Sequence, residues 1–473
     1  MLKHIELYLD RTKRNETIIS RELEKSLFKA FEAHCRQEHE KKIRFSVSKR
    51  GGNTYIFPFA HKDGYIPFIY DRKRFKTEVV DKLGDFVHAT GHLPSCKGPK
   101  KYDLAGFRSI NRKTITEGGK EEEFPIPVVK CVNCHKSFSL LPSFLPREKH
   151  FEIDIIGNVV RAIVSFSQSL QGVIEASQIS GRKVKSKQTI LNWLRWFGTL
   201  HPAAVLTRAG IKGSGYFQED EGFEKEPELR TYTVSMIEPE SLLLWHVDYI
   251  DHVDEETLCD SFEKFAERID FKVLGVTKDK WKSSTNALKK VFHNLWLGFC
   301  HLHCLKKFRK SLSEYQKETG CSLKKINKLY KEFKEVLDSS PSKAVLEIRI
   351  SSLTDQAFKH LLLRQSLDKV IENAVHYTCH KKRKGITKTT SIVDNFLKNV
   401  KRKLRQVESF RDKDDTRILF QAMANVRNFT PFLPGAKNSH KSPFMLAQGQ
   451  TYDLPWLQVM NIHNAFLFTE DAF

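Results

Sequence analysis

The order of strand and helix patterns after Gly213 constrains the fold more than any other feature of this chain. Three β-rich stretches follow one another there, SGYFQEDEGF, LRTYTVSMIE and SLLLWHVDYI, spaced as consecutive antiparallel strands are. A predicted helix (255–268), the strand FKVLGVTKD, a second helix (284–292) and the strand LWLGFCHLH come next. This order predicts an α/β domain.

The same succession is that of an RNase H-like domain, in which the first and fourth strands are neighbours in the sheet. Asp220 follows the apolar run GYFQ in the first strand, and Asp279 ends the fourth. An aspartate at a strand end often only begins a turn or caps a helix, and for either residue alone that interpretation is favoured. Their joint position in the strand order instead predicts that the two carboxylates converge.

A third candidate carboxylate, Asp394, lies in the predicted helix TTSIVDNFLKNVKRKL. Residues 381–405 contain ten Lys or Arg, and Asp394 is their only acidic residue. An exposed pair with Lys398 would stabilise the helix by only about 0.3–0.5 kcal/mol. A metal ligand flanked by phosphate-binding cations explains the pattern better, with Glu408 as the substitute candidate. Oxygen ligands suit Mg²⁺ or Mn²⁺, and a pair of such ions can promote phosphoryl transfer.

The charge of the chain favours a nucleic-acid partner. Its 473 residues include 79 Lys and Arg against 57 Asp and Glu, a formal net charge of +22, and each cation on a phosphate releases counterions. The alternative is a basic protein with solvated charged faces. The N-terminus lacks a signal-peptide pattern and no window is apolar enough to span a bilayer. We therefore expect no membrane partner and a cytoplasmic, nucleoid-associated protein.

Cysteine spacing predicts a zinc-binding module before the catalytic region. Nine cysteines are an odd number for a disulfide framework, and in a reducing compartment a CxxC pair indicates metal. Reduced cysteines without metal are the alternative. The expected Zn²⁺ ligands are His92, Cys96, Cys131 and Cys134, and His88 or His135 could replace His92. The polar segment 114–123 between them is predicted to be a loop.

Helical periodicity over residues 151–198 predicts a DNA-binding region. FEIDIIGNVVRAIVSFSQSL reads as one amphipathic helix, and LQGVIEASQIS and KSKQTILNWLRWFG as two more joined by a basic turn. A short helix, a turn and a second helix resemble a helix-turn-helix, with Ser186 as N-cap. An ordinary helical hairpin fits equally well. The residues expected to face a DNA groove are Lys187, Gln188 and Asn192.

Five segments of the chain resemble, in their order, the landmarks of bacterial insertion-sequence transposases of the DDE/D superfamily. They are GYFQEDEGF, VLGVTKD, GFCHLHCLKKF, TTSIVDNFLKNVKRKL and NVRNFTPFLPGAKNSHKSPFMLAQG. The resemblance covers roughly residues 90–460 and implies an RNase H-like fold, Mg²⁺ or Mn²⁺, and Asp220, Asp279 and Asp394 as catalytic triad. The third acid is commonly Glu, and Asp394 is shorter by one methylene. Cys300 and His303 resemble the C-x-x-H of several groups, although ordinary strand packing is at least as good an explanation.

The function expected is that of a DNA transposase that acts on terminal inverted repeats and target DNA as a homo-oligomer. The alternatives are a non-catalytic zinc and helix-turn-helix DNA-binding protein, and an RNase H-like nuclease without strand transfer. Phosphate contacts are expected from Lys398, Lys401, Arg402 and Arg405. The predicted regions are 1–87 (role unknown), 88–150 (zinc), 151–204 (helix-turn-helix), 205–440 (catalytic, with a helical insertion at about 305–380) and 441–473 (tail).

Overall fold

A computed structural model gives the fold of this α/β protein. It describes residues 65–68, 102–108, 112–116, 119–124, 126–131, 133, 135, 137–142, 145–146, 149–225, 230–357, 360–405, 413–449, 451 and 455–463. The chain divides into two compact units. One is Gly213–Lys401, and the other contains the described residues up to Lys212 and from Arg402 onward.

Within the described part of the chain, six short strands come before the first helix. They are β1 (Tyr65–Phe68), β2 (Tyr102–Phe107), β3 (Arg112–Ile115), β4 (Glu121–Phe124), β5 (Pro127–Cys131) and β6 (Ser137–Pro142), arranged as a sheet β1-β6-β5-β2 and a pair β3-β4. The loop predicted over 114–123 is wrong at its ends. Thr114 is buried, and Lys113 pairs with Glu123 across the two strands at 3.2 Å. Cross-strand contacts of this kind turn a polar segment into a hairpin.

Four helices follow, α1 (Ile153–Val164), α2 (Leu170–Ile179), α3 (Lys187–Gly198) and α4 (Pro202–Arg208). The single helix predicted from Phe151 onward ends at Val164. Ser167 adopts a left-handed φ of 57°, and the Ser169 side chain caps α2 by accepting from Gly172 N at 3.0 Å. Caps interrupt a helix where apolar periodicity alone suggests continuity.

Gly213–Lys401 is built on a mixed five-stranded sheet. Its strands are β7 (Tyr216–Lys225), β8 (Arg230–Ile237), β9 (Leu244–Ile250), β10 (Gly275–Lys278) and β11 (Trp296–Phe299), in the order β11-β10-β7-β8-β9. Helices α5 (Glu255–Ala266) and α6 (Lys282–Val291) connect the later strands. The predicted neighbours are confirmed, since β10 pairs with β7, in parallel. β10 and β11 are also parallel, and their carboxyl ends lie beside the middle of β7, which continues to Lys225.

A helical insertion follows β11. It consists of α7 (His301–Thr319), α8 (Leu323–Ser339), α9 (Lys343–Ala357), α10 (Leu361–Ile371) and α11 (Ala374–Lys382), packed around a shared apolar core. The strand predicted through His303 is wrong, because the chain becomes helical at His301. Cys304, Leu305 and Phe308 are buried with helical spacing, and this packing fixes the helix start.

Helix α12 (Ser391–Leu404) carries Asp394, and among the described residues α13 (Lys413–Phe429), α14 (Pro443–Gln448) and α15 (Trp456–His463) follow it. In this C-terminal part Asn425 is buried and donates to the carbonyls of Phe197 and Leu200 at 2.9 and 2.7 Å. The bonds join α13 to the end of α3. Among the described residues, none of the helices combines the length and apolar character needed to cross a bilayer.

Candidate metal centre

The sheet register brings Asp220 and Asp279 together at the carboxyl end of β10, although Asp220 lies in the middle of β7 and not at a strand end as expected. Gln218 on β7 is the register partner of Thr277 on β10, and Thr277 is the partner of Gly298 on β11. Because side chains alternate along a strand, the residues two positions later continue the same face. On β7 and after β10 those residues are Asp220 and Asp279.

Asp220, Asp279 and Asp394 line a single cavity of about 570 Å³. The potential ligand atoms of Asp220, His303 and Asp394 all lie within 4.8 Å of one another. The structure thus brings together three aspartates that are scattered in the sequence. It also adds His303 from α7, which the sequence did not rank among the catalytic residues although its C-x-x-H spacing was visible.

Asp220 is the most strongly perturbed carboxyl group of the cavity. Burial is the main cause, and the hydrogen bond with Asp394 and the negative charges of Glu221, Glu219 and Asp394 add to it, raising the pKa of Asp220 to about 10. Carboxylates packed this closely repel one another unless a proton or a cation lies between them. The arrangement therefore favours binding of a cation.

Asp279 lies in a different electrostatic environment within the same cavity. Lys307 donates to its carboxylate at 3.1 Å. Burial opposes ionisation of Asp279, but the charges of His303 and Lys307 outweigh it and hold the pKa of Asp279 below its ordinary value. Asp279 is consequently anionic at neutral pH.

The donor set fits a divalent metal ion. Two or three carboxylates could supply the oxygen ligands that Mg²⁺ and Mn²⁺ prefer. In its neutral form His303 could supply a nitrogen, because its buried Nδ1 has no hydrogen-bond partner among the described residues. A mixed oxygen and nitrogen set is better suited to Mn²⁺ than to Mg²⁺, which binds few nitrogen ligands.

The structure does not show the surface ion pair between Asp394 and Lys398 that was the alternative explanation for Asp394. Lys398 Nζ instead donates to Asn395 at 3.4 Å. Asp394 is half-buried, and Thr390 Oγ1 lies 3.5 Å from its carboxylate. The carboxylate thus faces the cavity, as a ligand would.

A buried ion pair lies on the other face of the strands that carry the candidate ligands. Lys278 Nζ is 3.4 Å from Glu219 and 3.9 Å from Glu221, and both Lys278 and Glu219 are fully buried. Burial raises the pKa of Glu219. It opposes the charge on Lys278 as well, but the carboxylates of Glu219, Glu221 and Asp279 outweigh it and raise the pKa of Lys278. The lysine therefore stays charged beside Asp279.

The predicted DNA-binding residues are all accessible to some degree. Lys187, Gln188 and Asn192 are exposed on α3, and Gln188 donates to Asn192 at 2.9 Å. Ser186 accepts from Thr189 N as the predicted N-cap. Lys398 and Lys401 line the cavity together with Lys306, whereas Arg402 and Arg405 are exposed near the end of α12.

The predicted zinc ligands cannot be compared with the structure. His92, Cys96 and Cys134 lie outside the described residues. Cys131 ends β5, and its side chain is not among those described. The zinc site therefore stays a prediction.

Comparison with known proteins adds one match. A family model described as "Domain of unknown function (DUF6431)" matches residues 94–178, which include most of the predicted zinc module but not His92, all of α1 and most of α2. No curated protein matches the chain. The matched family has no assigned function, and the match ends before the first candidate catalytic residue.

Proposed function

We propose that this chain is a DNA transposase of the DDE/D type, which cleaves DNA at the ends of a mobile element and joins those ends to target DNA. The observation that carries the proposal is the shared cavity of Asp220, Asp279 and Asp394. The strand order β11-β10-β7-β8-β9 supports it, because it is compatible with the RNase H-like fold that the resemblance implies.

Phosphoryl transfer on DNA depends on positioning and charge neutralisation more than on covalent chemistry. Asp220, Asp279 and Asp394 would hold Mg²⁺ or Mn²⁺, with His303 close enough to contribute. When bound, such ions activate the attacking oxygen and neutralise charge on the leaving oxygen. The aspartates would provide the negative charge and the fixed geometry that this chemistry needs.

The cations around the cavity have a separate role in the proposal. Lys306, Lys398 and Lys401 line it and would bind the phosphates on either side of the scissile bond. Such contacts orient the DNA strand without reading its sequence. Sequence recognition is assigned to α3, where Gln188 and Asn192 are exposed.

The test uses a labelled DNA duplex that carries the inverted repeat flanking the coding region. We expect Mg²⁺- or Mn²⁺-dependent cleavage at the repeat and strand-transfer products with a target plasmid. Asp220→Asn should lose both, whereas the control Asp260→Asn, on the exposed side of α5, should retain both. Cleavage without joining would favour a nuclease, and binding without cleavage would favour a DNA-binding protein.

The zinc module is part of the proposal and is tested separately. Purified protein should contain about one zinc ion per chain, since folding of small zinc modules depends on the metal. Cys131→Ser and Cys134→Ser should each lose it, and Cys321→Ser, a half-buried free cysteine of the helical insertion, should not. Wild-type protein without zinc would remove this part of the proposal.

A further inference from the structure

A short segment between α11 and α12, residues 384–390, packs directly on the sheet next to the candidate metal centre. We call it the clasp. Ile386 of the clasp is buried against Gly275 on β10 and Gly298 on β11, where a Cβ atom on either glycine would overlap the isoleucine side chain. The two glycines thus allow the clasp to approach the strands closely.

Hydrogen bonds attach the clasp to three strands. Thr277 Oγ1 donates to the Thr387 carbonyl at 2.9 Å and accepts from Thr387 N at 3.1 Å. At the end of β11, Cys300 Sγ accepts from Thr390 N and Oγ1, both at 3.3 Å. From β7, Gln218 Nε2 donates to Thr387 Oγ1 at 3.0 Å. These strands are also the ones that lead into the cavity.

Gln218 makes a second connection through its other amide atom. Its Oε1 accepts from Ile392 N at 3.0 Å and from Val393 N at 3.4 Å, in the first turn of α12. These are N–H groups that a helix cannot satisfy internally. Asp394 is the next residue of that helix, and Asp220 lies two residues after Gln218 on β7. A single buried side chain thus joins the strand of one candidate ligand to the helix of another.

We propose that Gln218 is a positioning residue of the metal centre, which sets the distance between Asp220 and Asp394 by holding α12 and the clasp against β7. The inference rests on the proposed function and assigns Gln218 no contact with substrate or metal. A primary amide is required because the same group must accept from N–H groups and donate to a hydroxyl. In metal sites, residues that support the ligands in this way typically contribute 10- to 100-fold in affinity.

The experiment measures Mn²⁺ affinity in the full-length protein without DNA, by electron paramagnetic resonance of free Mn²⁺, next to thermal unfolding. Asp220→Asn identifies the signal of the proposed site. Gln218→Met keeps the side-chain length and removes every hydrogen bond of the amide, and we expect it to weaken Mn²⁺ binding by about 10- to 100-fold. A merely structural role would lower the unfolding temperature and leave the affinity of the folded protein unchanged.

A second pair of variants applies if Gln218→Met does not fold. Thr387→Val removes the hydroxyl that accepts from Gln218, whereas Thr387→Ser keeps it. Weaker binding by the valine variant, with near wild-type affinity in the serine variant, would support the inference. Wild-type affinity in Thr387→Val or in folded Gln218→Met would overturn it and leave the proposed function intact. Absence of Mn²⁺ binding in the wild type would instead overturn both.

Discussion

Two glutamines in two regions of the molecule are used in opposite ways. Gln218, in the sheet of Gly213–Lys401, is buried, and its amide bonds to a helix start and to a threonine. Gln188 on α3 is exposed, and its side chain bonds to the neighbouring Asn192. A buried amide whose hydrogen bonds are made within the protein is suited to holding a site in place. An exposed amide can exchange its local bond for one with a base edge.

Buried and exposed polar or charged groups also differ in how much their removal changes the stability of the protein. When a buried polar group is removed, its partners stay in a low-dielectric environment without a hydrogen bond or counter-charge. An exposed group is solvated with or without its partner, so its loss changes stability little. Substitutions in the sheet should therefore affect catalysis and folding strongly, and those on the surface of α3 should affect recognition alone.

The largest effect is expected for Asp394→Asn. The neutral amide is a weaker ligand for a divalent ion, and several kcal/mol of transition-state stabilisation should be lost, on the order of a thousandfold in rate. DNA affinity should stay equal or rise slightly, because a negative charge disappears from a basic helix. The measurement is metal-dependent cleavage of a labelled element end beside a gel shift on the same DNA.

The matched variant for Asp394 is Glu408→Gln, which changes the substitute candidate in a segment outside the described residues. It should cleave at a normal rate. The opposite pattern, near-normal cleavage by Asp394→Asn with none by Glu408→Gln, would transfer the role of third ligand to Glu408.

The second-largest effect is expected on the free energy of unfolding, when the buried pair of Lys278 and Glu219 is broken. Lys278→Met removes the cation that lies 3.4 Å from the buried Glu219 carboxyl, and removal of one partner of a buried pair typically costs about 3–5 kcal/mol. Denaturant unfolding should show this loss in the free energy of unfolding. Lys280→Met, two residues later and exposed, should change it by less than about 0.5 kcal/mol. Equal effects of both variants would contradict the contrast between buried and exposed groups.

His246 is expected to have a smaller effect, on the pH dependence of the protein's stability. It is buried and 2.9 Å from Ser261 Oγ, which donates to Asp248. Burial lowers the pKa of His246 to about 4. The unfolded chain takes up a proton below about pH 6.5 while the folded one does not. The contribution of His246 to stability is therefore present above pH 6.5 and is lost as the pH falls toward 4.

The check compares unfolding free energies of wild type, His246→Leu and the exposed control His293→Gln between pH 7 and 4. Wild type and the control should lose about 2–3 kcal/mol more than His246→Leu over this range. Parallel curves for all three proteins would show that His246 does not cause the acid sensitivity.

The smallest effect is expected on α3. Gln188→Ala or Asn192→Ala should lower the preference for element ends by about tenfold, because one base contact contributes about 1–3 kcal/mol. Stability and binding to unrelated DNA should not change. Gln171→Ala on α2 is the matched control, since Gln171 makes the same type of exposed bond, to Glu175 at 3.0 Å. Loss of preference in Gln171→Ala alone would place recognition on the other helix.

The sequence by itself determined the strand order, the pairing of β7 with β10 and the N-cap Ser186, and it selected Asp220, Asp279 and Asp394. These features follow from local periodicity, capping chemistry and the rules of strand connection. The same local reasoning failed where long-range packing competed with it. It predicted a loop where β3 and β4 pair, and a strand where α7 begins at His301.

Only the tertiary structure decided that His303 joins the aspartates in the cavity and which contacts hold their strand and helix together. His303 approaches Asp220 and Asp394 because α7 starts at the end of β11. Gln218 binds the start of α12, whose residues lie more than a hundred positions away in the chain. No sequence pattern encodes such contacts, because they arise when the packing of whole strands and helices has set the distance between residues that are unrelated in sequence.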